Sequence, residues 1–251
     1  MPRIIPFRLA AVCALALSLT VVFAASAVAK GLQADLRVVG TGGKVLAEKT
    51  LASPNVSVKT SPKATCFGPG SGGSGDTVQV KGNTGLGLLA NGAKTTPALR
   101  PLLISDSFDF GLALCGVGSS VARGSSSWYL KINHKSLEVS GDMAKIKAGD
   151  EVLYALVKTE APDFAYPDEL VLSAPASAKA GMPFTVRVWA YDGKGKRTPQ
   201  AGAKVTGAAE PTGADGRTTV TLSKPRKLSA SAGGTIPSAR EAVCIGGKCP
   251  K

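Results

Sequence analysis

The sequence predicts a mainly β protein. In several short segments apolar and polar residues alternate with a period of two, which is typical of strands with one buried face. Clusters of glycine, proline, serine and asparagine separate these segments, as turns and loops do. One segment, GLGLLANGA at residues 85–93, predicts a helix, although each of its glycines lowers helix stability by about 1 kcal/mol relative to alanine.

The clearest strand pattern begins at Trp128, and apolar and polar residues alternate from there to residue 133. Polar residues 133–136 interrupt the alternation, which resumes at residues 137–139, so this stretch predicts a hairpin. Gly149 supplies the positive φ that a tight turn demands. Residues 152–157 are apolar on both faces and predict a strand covered on both sides, with a short buried helix as the alternative.

Weaker patterns fill the rest of the N-terminal half. Residues 36–39 and 45–50 predict a hairpin, and residues 102–104 and 108–114 predict further strands. The segment FGPGSGGSG at residues 67–75 predicts an exposed, flexible loop.

Residues 1–29 have the layout of a secretory signal peptide. Arg3 and Arg8 precede an apolar run over residues 9–25, and small residues at 27–29 form a cleavage site. An uncleaved membrane anchor is the alternative, because the run is long enough to span a bilayer. No later stretch is apolar enough to span one, so we expect a secreted protein, either free or associated with the cell envelope.

The cysteine count fits an exported protein. Cys13 lies in the signal segment, which leaves Cys66, Cys115, Cys244 and Cys249. An even number of cysteines in an exported chain indicates disulfides, and three pairings are possible. No nearby histidine completes a zinc ligand set, so we expect no metal.

The chain is strongly basic. Without Arg3 and Arg8 it has 28 basic and 17 acidic residues, a net charge of about +11. Outside the cell such a chain attracts anionic envelope polymers, although a role in solubility alone is the alternative. The densest basic cluster is residues 194–197, and aromatic residues do not interleave with the basic ones, so we expect no nucleic-acid partner.

Motifs within residues 34–158 resemble the transcobalamin-like C-terminal domain family of secreted proteins. They are a Trp-Tyr-x-x-x-Asn strand at 128–133, a Gly-Asp-Glu-Val turn and strand at 149–152, and an opening strand at 36–40. The resemblance implies a β-grasp-like α+β domain, in which one helix lies across a sheet. Residues 85–93 lie where that fold has its helix.

The resemblance also implies one disulfide. Cys66 and Cys115 resemble a cysteine pair of the bacterial family members, which leaves Cys244 and Cys249 to pair across the short loop CIGGKC.

In the vitamin-carrying members this domain helps to enclose cobalamin. The resemblance therefore implies a site for a corrinoid-like small molecule. Our candidate contacts are Trp128, Tyr129, Asn133 and His134, because aromatic faces with a few polar groups make a ligand site.

A change of composition at residues 159–167 indicates a linker. We therefore divide the chain into a signal peptide (1–29), the β-grasp-like domain (30–160), a linker (161–168) and a second domain (169–251).

Short alternating segments at regular spacing predict that the second domain is a small β-sandwich. Residues 199–222 resemble bacterial immunoglobulin-like surface domains, which serve as spacers or adhesion modules. By that resemblance Trp189 is expected to be the core tryptophan.

Little in the sequence points to catalysis. His134 is the only histidine and lies in a polar bend, and neither a G-x-S-x-G nor an H-E-x-x-H motif is present. Glu138 and Asp142 could form a catalytic carboxylate pair, as a glycosidase requires, but nothing else in the sequence supports that role. We therefore expect a non-enzyme without a cofactor.

The expected function is an exported cell-surface or extracellular binding or adhesion module, built from two disulfide-braced β domains. Its partner would be an envelope polymer or a surface protein. The alternative is an extracellular protein that binds a small, corrinoid-like molecule in the β-grasp domain.

Overall fold

A computed structural model describes residues 32–159 and 165–250. About 43% of the chain is strand and 8% is helix, which confirms the mainly β prediction. The predicted signal peptide and residues 160–164 of the linker region lie outside the described residues.

The N-terminal part, residues 32–159, has three sheets and one α-helix. Its elements are β1 (Gln33–Val39), β2 (Val45–Ala52), β3 (Val56–Lys59), β4 (Thr77–Val80), α1 (Gly85–Thr95), β5 (Leu102–Ser105), β6 (Ala113–Val117), β7 (Ser120–Val121), β8 (Ser126–Ile132), β9 (Lys135–Ser136) and β10 (Glu151–Lys158). Two short 3₁₀ turns lie at Thr41–Gly43 and Pro97–Leu99.

The main sheet has the order β2-β1-β10-β8-β9. Its central pair, β1 and β10, is parallel, whereas all other neighbours in it are antiparallel. Parallel neighbours cannot be joined by a tight turn, so the chain between them forms α1 and the two smaller sheets, β3-β4 and β5-β6-β7.

The predicted helix is confirmed as α1. The side chain of Thr84 caps its start by accepting a hydrogen bond from the Gly87 amide at 3.1 Å. A Cβ atom on Gly87 would lie 2.1 Å from the Lys81 carbonyl oxygen, and one on Gly92 would lie 2.6 Å from Leu36 of β1. The glycines that weaken α1 as an isolated helix therefore let it pack closely in the core.

The hairpin of β8 and β9 is confirmed, with both turn residues, Asn133 and His134, at positive φ. Strand β9 ends at Ser136, so the predicted continuation of the strand over residues 137–139 is wrong. Only the Leu137 amide still donates a hydrogen bond to β8, to the Leu130 carbonyl. Strand β10 is covered on both faces, as predicted.

Two loop predictions need correction. Residues 67–75 are not simply exposed, because Gly73 is buried and the Ser71 carbonyl accepts a hydrogen bond from Ser105 at 2.6 Å. The predicted strand over 108–114 starts only at Ala113, since the preceding residues form a loop with an aromatic cluster.

The C-terminal part, residues 165–250, is made of short strands. They are β11 (Glu169–Ser173), β12 (Ser177–Ala178), β13 (Pro183–Tyr191), β14 (Arg197–Pro199), β15 (Lys204–Val205), β16 (Arg217–Thr221), β17 (Arg226–Leu228), β18 (Ala230–Ser231) and β19 (Glu241–Ile245). Strand β13 pairs with β11, β14 and β16, while β12, β19 and β17 form another sheet and β15 pairs with β18. These strands enclose their own apolar core.

Trp189 does not lie in that core, contrary to the sequence-based expectation. Val186, Val188 and Ala190 of β13 point inward and are buried, so alternation turns Trp189 to the opposite face of the sheet. There the guanidinium groups of Arg187 and Arg197 lie over its ring.

Both predicted disulfides are present, Cys66–Cys115 and Cys244–Cys249. The first joins the loop after β3 to β6, and the second closes the short loop after β19. Within the described ranges, no helix has the length and apolar character needed to cross a membrane.

Removing the Cys66–Cys115 disulfide should cost more stability than removing Cys244–Cys249. On the chain-entropy argument, the long loop contributes about 4 kcal/mol and the short loop about 2 kcal/mol. We expect these losses in the free energy of unfolding for Cys66→Ser with Cys115→Ser and for Cys244→Ser with Cys249→Ser, measured by urea denaturation. Equal losses would contradict the loop-entropy explanation.

Candidate functional site

A cleft of about 590 Å³ opens in the N-terminal part, a volume typical of small-molecule sites. It lies between β8, the start of α1, the segment after β9 and the loop after Cys66. Its larger apolar side chains include those of Phe67, Leu86, Phe110, Leu112, Trp128 and Leu137. Among the described residues, Glu138 is the only charged one that lines it.

Exposed aromatic rings form the rim of this cleft. Phe67 and Phe110 are 62% and 55% exposed, and both pack against Phe108, with ring centroids 5.2 and 4.7 Å apart. The Cys66–Cys115 disulfide ties Phe67 to β6. Exposed apolar side chains gathered at one cleft are typical of a binding surface.

Three residues that line the cleft each carry a buried polar atom without a partner. The indole Nε1 of Trp128, the Oγ of Ser140 and the Oη of Tyr154 make no hydrogen bond to any described residue. Leaving such a group unpaired costs about 1–3 kcal/mol. The wall of this cleft therefore contains polar groups that a bound molecule could pair after a small side-chain movement.

Tyr154 lies in the middle of β10 and is 3% exposed. A Cβ atom on Gly141 would lie 2.4 Å from its hydroxyl, so the glycine makes room for that group. Burial, with a smaller contribution from the charge of Asp142, raises the pKa of the Tyr154 phenol far above its ordinary value. The hydroxyl therefore stays protonated and can donate a hydrogen bond.

The structure does not bring the four candidate ligand contacts together. Trp128 lines the cleft. Tyr129, its neighbour on β8, also lines the cleft, and its ring stacks at 4.2 Å on that of Tyr166, a lining residue from the C-terminal part. Asn133 and His134 lie outside the cleft.

Asn133 has a structural role at the turn after β8. Its side-chain amide donates to the Asp150 carboxylate at 2.8 Å and its side-chain oxygen accepts from the Glu151 amide at 2.9 Å. These bonds fasten the β8–β9 turn to the start of β10.

His134 belongs to a second constellation, the junction cluster, which we define as Arg37, Lys131, His134, Glu151 and Glu169. Glu169 opens β11 in the C-terminal part and is 1% exposed. Arg37 of β1 pairs with it, and Lys131 Nζ and His134 Nδ1 each lie 3.2 Å from its Oε2 atom. A buried carboxylate of one part is thus surrounded by cationic or polar groups of the other.

The shared carboxylate explains the pKa directions in this cluster. Burial raises the pKa of Glu169, but the His134 contact and the charges of Arg37 and Lys131 outweigh it and hold the pKa below its ordinary value. Burial lowers the pKa of Lys131, because a carboxylate shared among several partners only partly offsets the loss of solvation.

The same cluster contains a set of metal-ligand types. One ligand atom each from His134, Glu151 and Glu169 lie within 4.8 Å of one another. Arg37 contacts both carboxylates, at 3.4 Å to Glu151, and Lys131 approaches the second, so a metal ion would meet like charge. The arrangement fits an ion cluster at a junction better than a metal centre.

Hydrogen bonds extend the junction beyond the cluster. Lys131 Nζ donates to the carbonyls of Tyr191 and Asp192 at 3.0 and 3.1 Å, and Ser136 Oγ donates to the Gly193 carbonyl at 2.7 Å. Farther along, Arg240 Nε lies 2.5 Å from Glu48. The two parts are therefore held in one arrangement by buried charge and backbone acceptors.

Sequence analysis missed Tyr154, Ser140 and every member of the junction cluster except His134, for which it predicted a different role. Alternation places Lys131 on the polar face of β8, which a sequence alone assigns to solvent. The structure covers this face with the C-terminal part, and Lys131 is 1% exposed. The available signal for a buried acidic partner was a cation in the middle of each of the two strands that flank β10, Arg37 on β1 and Lys131 on β8.

Comparisons with protein-family models, with curated proteins and with solved structures find no match for this chain.

Glu169→Gln should destabilise the protein at neutral pH by about 3 kcal/mol, because it leaves Arg37 and Lys131 buried without their carboxylate. The pKa of Glu169 is lower in the folded protein than in the unfolded chain, where it is near 4.5. Its ionised form therefore stabilises the fold above pH 4.5, and this contribution is lost as the pH falls through the pKa of the folded state. Urea denaturation from pH 7 to pH 3 should therefore show a shallower loss of stability in the variant than in the parent protein.

The exposed Glu210→Gln is the matched control, which we expect to follow the parent at every pH. Parallel pH profiles for Glu169→Gln and the parent would contradict this account of the junction.

Proposed function

We propose that this chain is an exported, non-catalytic binding protein whose cleft holds a small organic molecule. The observation that carries the proposal is that three residues lining one aromatic-rimmed cleft each have a buried polar atom with no partner among the described residues. A ligand that pairs them removes their desolvation cost at the moment of binding, which favours the bound state.

The lining defines the class of ligand. Trp128 Nε1 and Tyr154 Oη are donors, so the ligand offers acceptor oxygens or nitrogens, and the phenylalanine rim favours a ring or chain with apolar faces. Glu138, the one charged residue that the described part of the chain adds to the lining, disfavours an anion. The proposed ligand is therefore uncharged or cationic, and a corrinoid-like molecule is the member of this class that the family resemblance suggests.

The proposal includes the domain organisation. In it, residues 30–160 form a β-grasp-like domain, which is supported by one helix packed against a sheet with a parallel central pair. The second domain, from residue 169, is an immunoglobulin-like sandwich, supported by short strands around a separate core. The leader at residues 1–29 and the two disulfides support an extracellular location.

A non-catalytic role is supported by the position of His134. The only histidine of the chain contacts Glu169 at the junction and does not line the cleft. Glu138 lines the cleft, but Asp142, its proposed partner, is not among the lining residues and accepts a hydrogen bond from the Leu112 amide.

The surface or adhesion module is the second candidate function. The junction favours it, because buried ion pairs that fix the two parts make a stiff unit suited to holding a binding surface away from the envelope. The two functions are compatible, since a stiff unit can present a ligand cleft.

Native mass spectrometry of the untagged protein, purified from its own culture medium, tests the binding function. We expect the mass of residues 30–251 with both disulfides formed, and a second species carrying a small molecule that leaves on denaturation. A bare mass, together with unchanged Trp128 fluorescence on addition of cobalamin and uncharged metabolites, would overturn the ligand proposal and leave the surface module.

Tyr154→Phe should separate ligand binding from folding. The hydroxyl has no partner among the described residues, so its removal should leave the free energy of unfolding unchanged or raise it by up to about 1 kcal/mol. The same change should lower the ligand-bound fraction about fivefold, because a donor to the ligand is lost. Native mass spectra and urea denaturation of the same preparations measure both effects.

Tyr191→Phe is the control, since this phenol packs on His134 outside the cleft. It should leave the bound fraction unchanged. A bound fraction in Tyr154→Phe equal to that of the parent would contradict the assigned role of the hydroxyl.

A further inference from the structure

We propose that the C-terminal part carries a second binding site, for an anionic polysaccharide, on the outer face of the sheet around β13. The site, which we call the arginine face, consists of Arg187, Trp189, Arg197 and Arg217. It is separate from the cleft and does not rest on the ligand proposed there.

Stacking on a tryptophan orients two of the arginines. The guanidinium carbon of Arg187 lies 3.7 Å from the ring centroid of Trp189, and that of Arg197 lies 4.7 Å from it. A guanidinium held by its flat face against a ring keeps the N–H groups at its edge available for oxyanions. The stack therefore presents two pre-oriented donors of bidentate hydrogen bonds.

The register of the sheet brings a third arginine to the same face. Arg187 of β13 lies directly opposite Arg217 of β16. Like charges directly opposite one another destabilise a sheet, so this pairing does not serve the stability of the fold. A shared anion between the two side chains is the arrangement that removes the repulsion.

Protein acids neutralise this face only weakly. The carboxylate of Asp215 lies 3.8 Å from Arg217 Nε, and both side chains are more than half exposed. Arg187 Nε donates to the Asp215 backbone carbonyl, which leaves its terminal nitrogens for other partners. Arg197 is exposed and makes no ion pair with any described residue.

The adjoining turn adds positive charge. Lys194 and Lys196 are exposed between β13 and β14, while the Asp192 carboxylate accepts their backbone amides at 2.8 Å. The acid is thus engaged with the turn backbone, and the lysine charges extend the arginine face along one edge.

The spread of the cations indicates a polymer. Arg187 and Arg197 meet at one ring, whereas Lys194 and Lys196 lie in the turn after Tyr191, four residues along β13 from Arg187, or about 13 Å at ~3.3 Å per residue. A small anion engages one such group, whereas an extended chain with a charge on successive units engages several together. The net charge of about +11 that remains without Arg3 and Arg8 attracts such a chain from a distance.

A glycan suits the face better than a nucleic acid. Binding of single strands without sequence preference depends on bare aromatic rings that stack on bases. Here two guanidinium groups already cover Trp189, so the face offers charge and hydrogen bonds but no open ring. Carboxylate and sulfate groups on sugars share the oxyanion chemistry that it recognises.

The full-length secreted protein should bind immobilised polygalacturonate, a carboxylated glycan, and heparin, a sulfated one, in a salt-dependent manner. Replacing Arg187 and Arg197 together by glutamine should weaken binding to the preferred glycan at least tenfold at 0.15 M salt. The charge-matched control replaces Arg100 and Arg123, two exposed arginines of the N-terminal part, and should change affinity less than threefold. Circular dichroism spectra should be alike for all three proteins.

Trp189 supplies a local readout. In a Trp128→Phe background it is the only tryptophan, and its emission should shift when the glycan displaces or tightens the guanidinium groups. An equal loss of glycan affinity in the two double variants would show that binding depends only on the overall charge, and it would overturn the site. Glycan binding without any change in Trp189 emission would overturn it as well. Binding of double-stranded DNA as tight as that of either glycan would overturn the choice of partner.

Discussion

The arrangement of this molecule depends on one buried carboxylate. Glu169 is the first residue of the first strand after the linker, and it enters a pocket of positive and polar groups on the face of the main sheet that α1 leaves uncovered. Buried ion pairs add little to stability relative to apolar contacts, but they strongly penalise any arrangement that separates them. The cluster therefore acts mainly on the relative position of the two parts.

Because the two parts are held in a fixed relative position, the two faces of the main sheet have different roles. One face packs on α1 and forms the core next to the cleft, whereas the other meets the C-terminal part through Arg37, Lys131 and a small apolar group around Ile236. Trp128 and Tyr129, neighbours on β8, consequently pack in different apolar groups, although both line the cleft: the first packs in the core and the second in the group around Ile236. The cleft and the arginine face are thereby held on a single stiff framework.

Sequence patterns predicted what depends on local periodicity. The β8–β9 turn follows from the interruption of the alternation at residues 133–136, and the double-sided burial of β10 follows from its continuous apolar run. The apolar segment at 85–93 predicts the helix despite its glycines. The sequence did not predict the candidate site, because only the fold brings Tyr154 and Ser140 close together. It did not predict the junction either, because the polar residues of β8 contact a buried carboxylate and not water. Trp189 shows the converse, since alternation with Val186 and Val188 already placed it outside the core.

The parallel pairing of β1 with β10 has a consequence for the order in which the fold forms. The two strands come from opposite ends of the N-terminal part, where Asp35 pairs with Glu151, so a chain that is synthesised from its N-terminus completes the main sheet only after nearly all of that part is available. The pairing of β1 with β2 and the two smaller sheets join segments that are closer in sequence, whereas the contact between β1 and β10 is distant in sequence and forms slowly. The main sheet is therefore completed late, when its middle strand arrives.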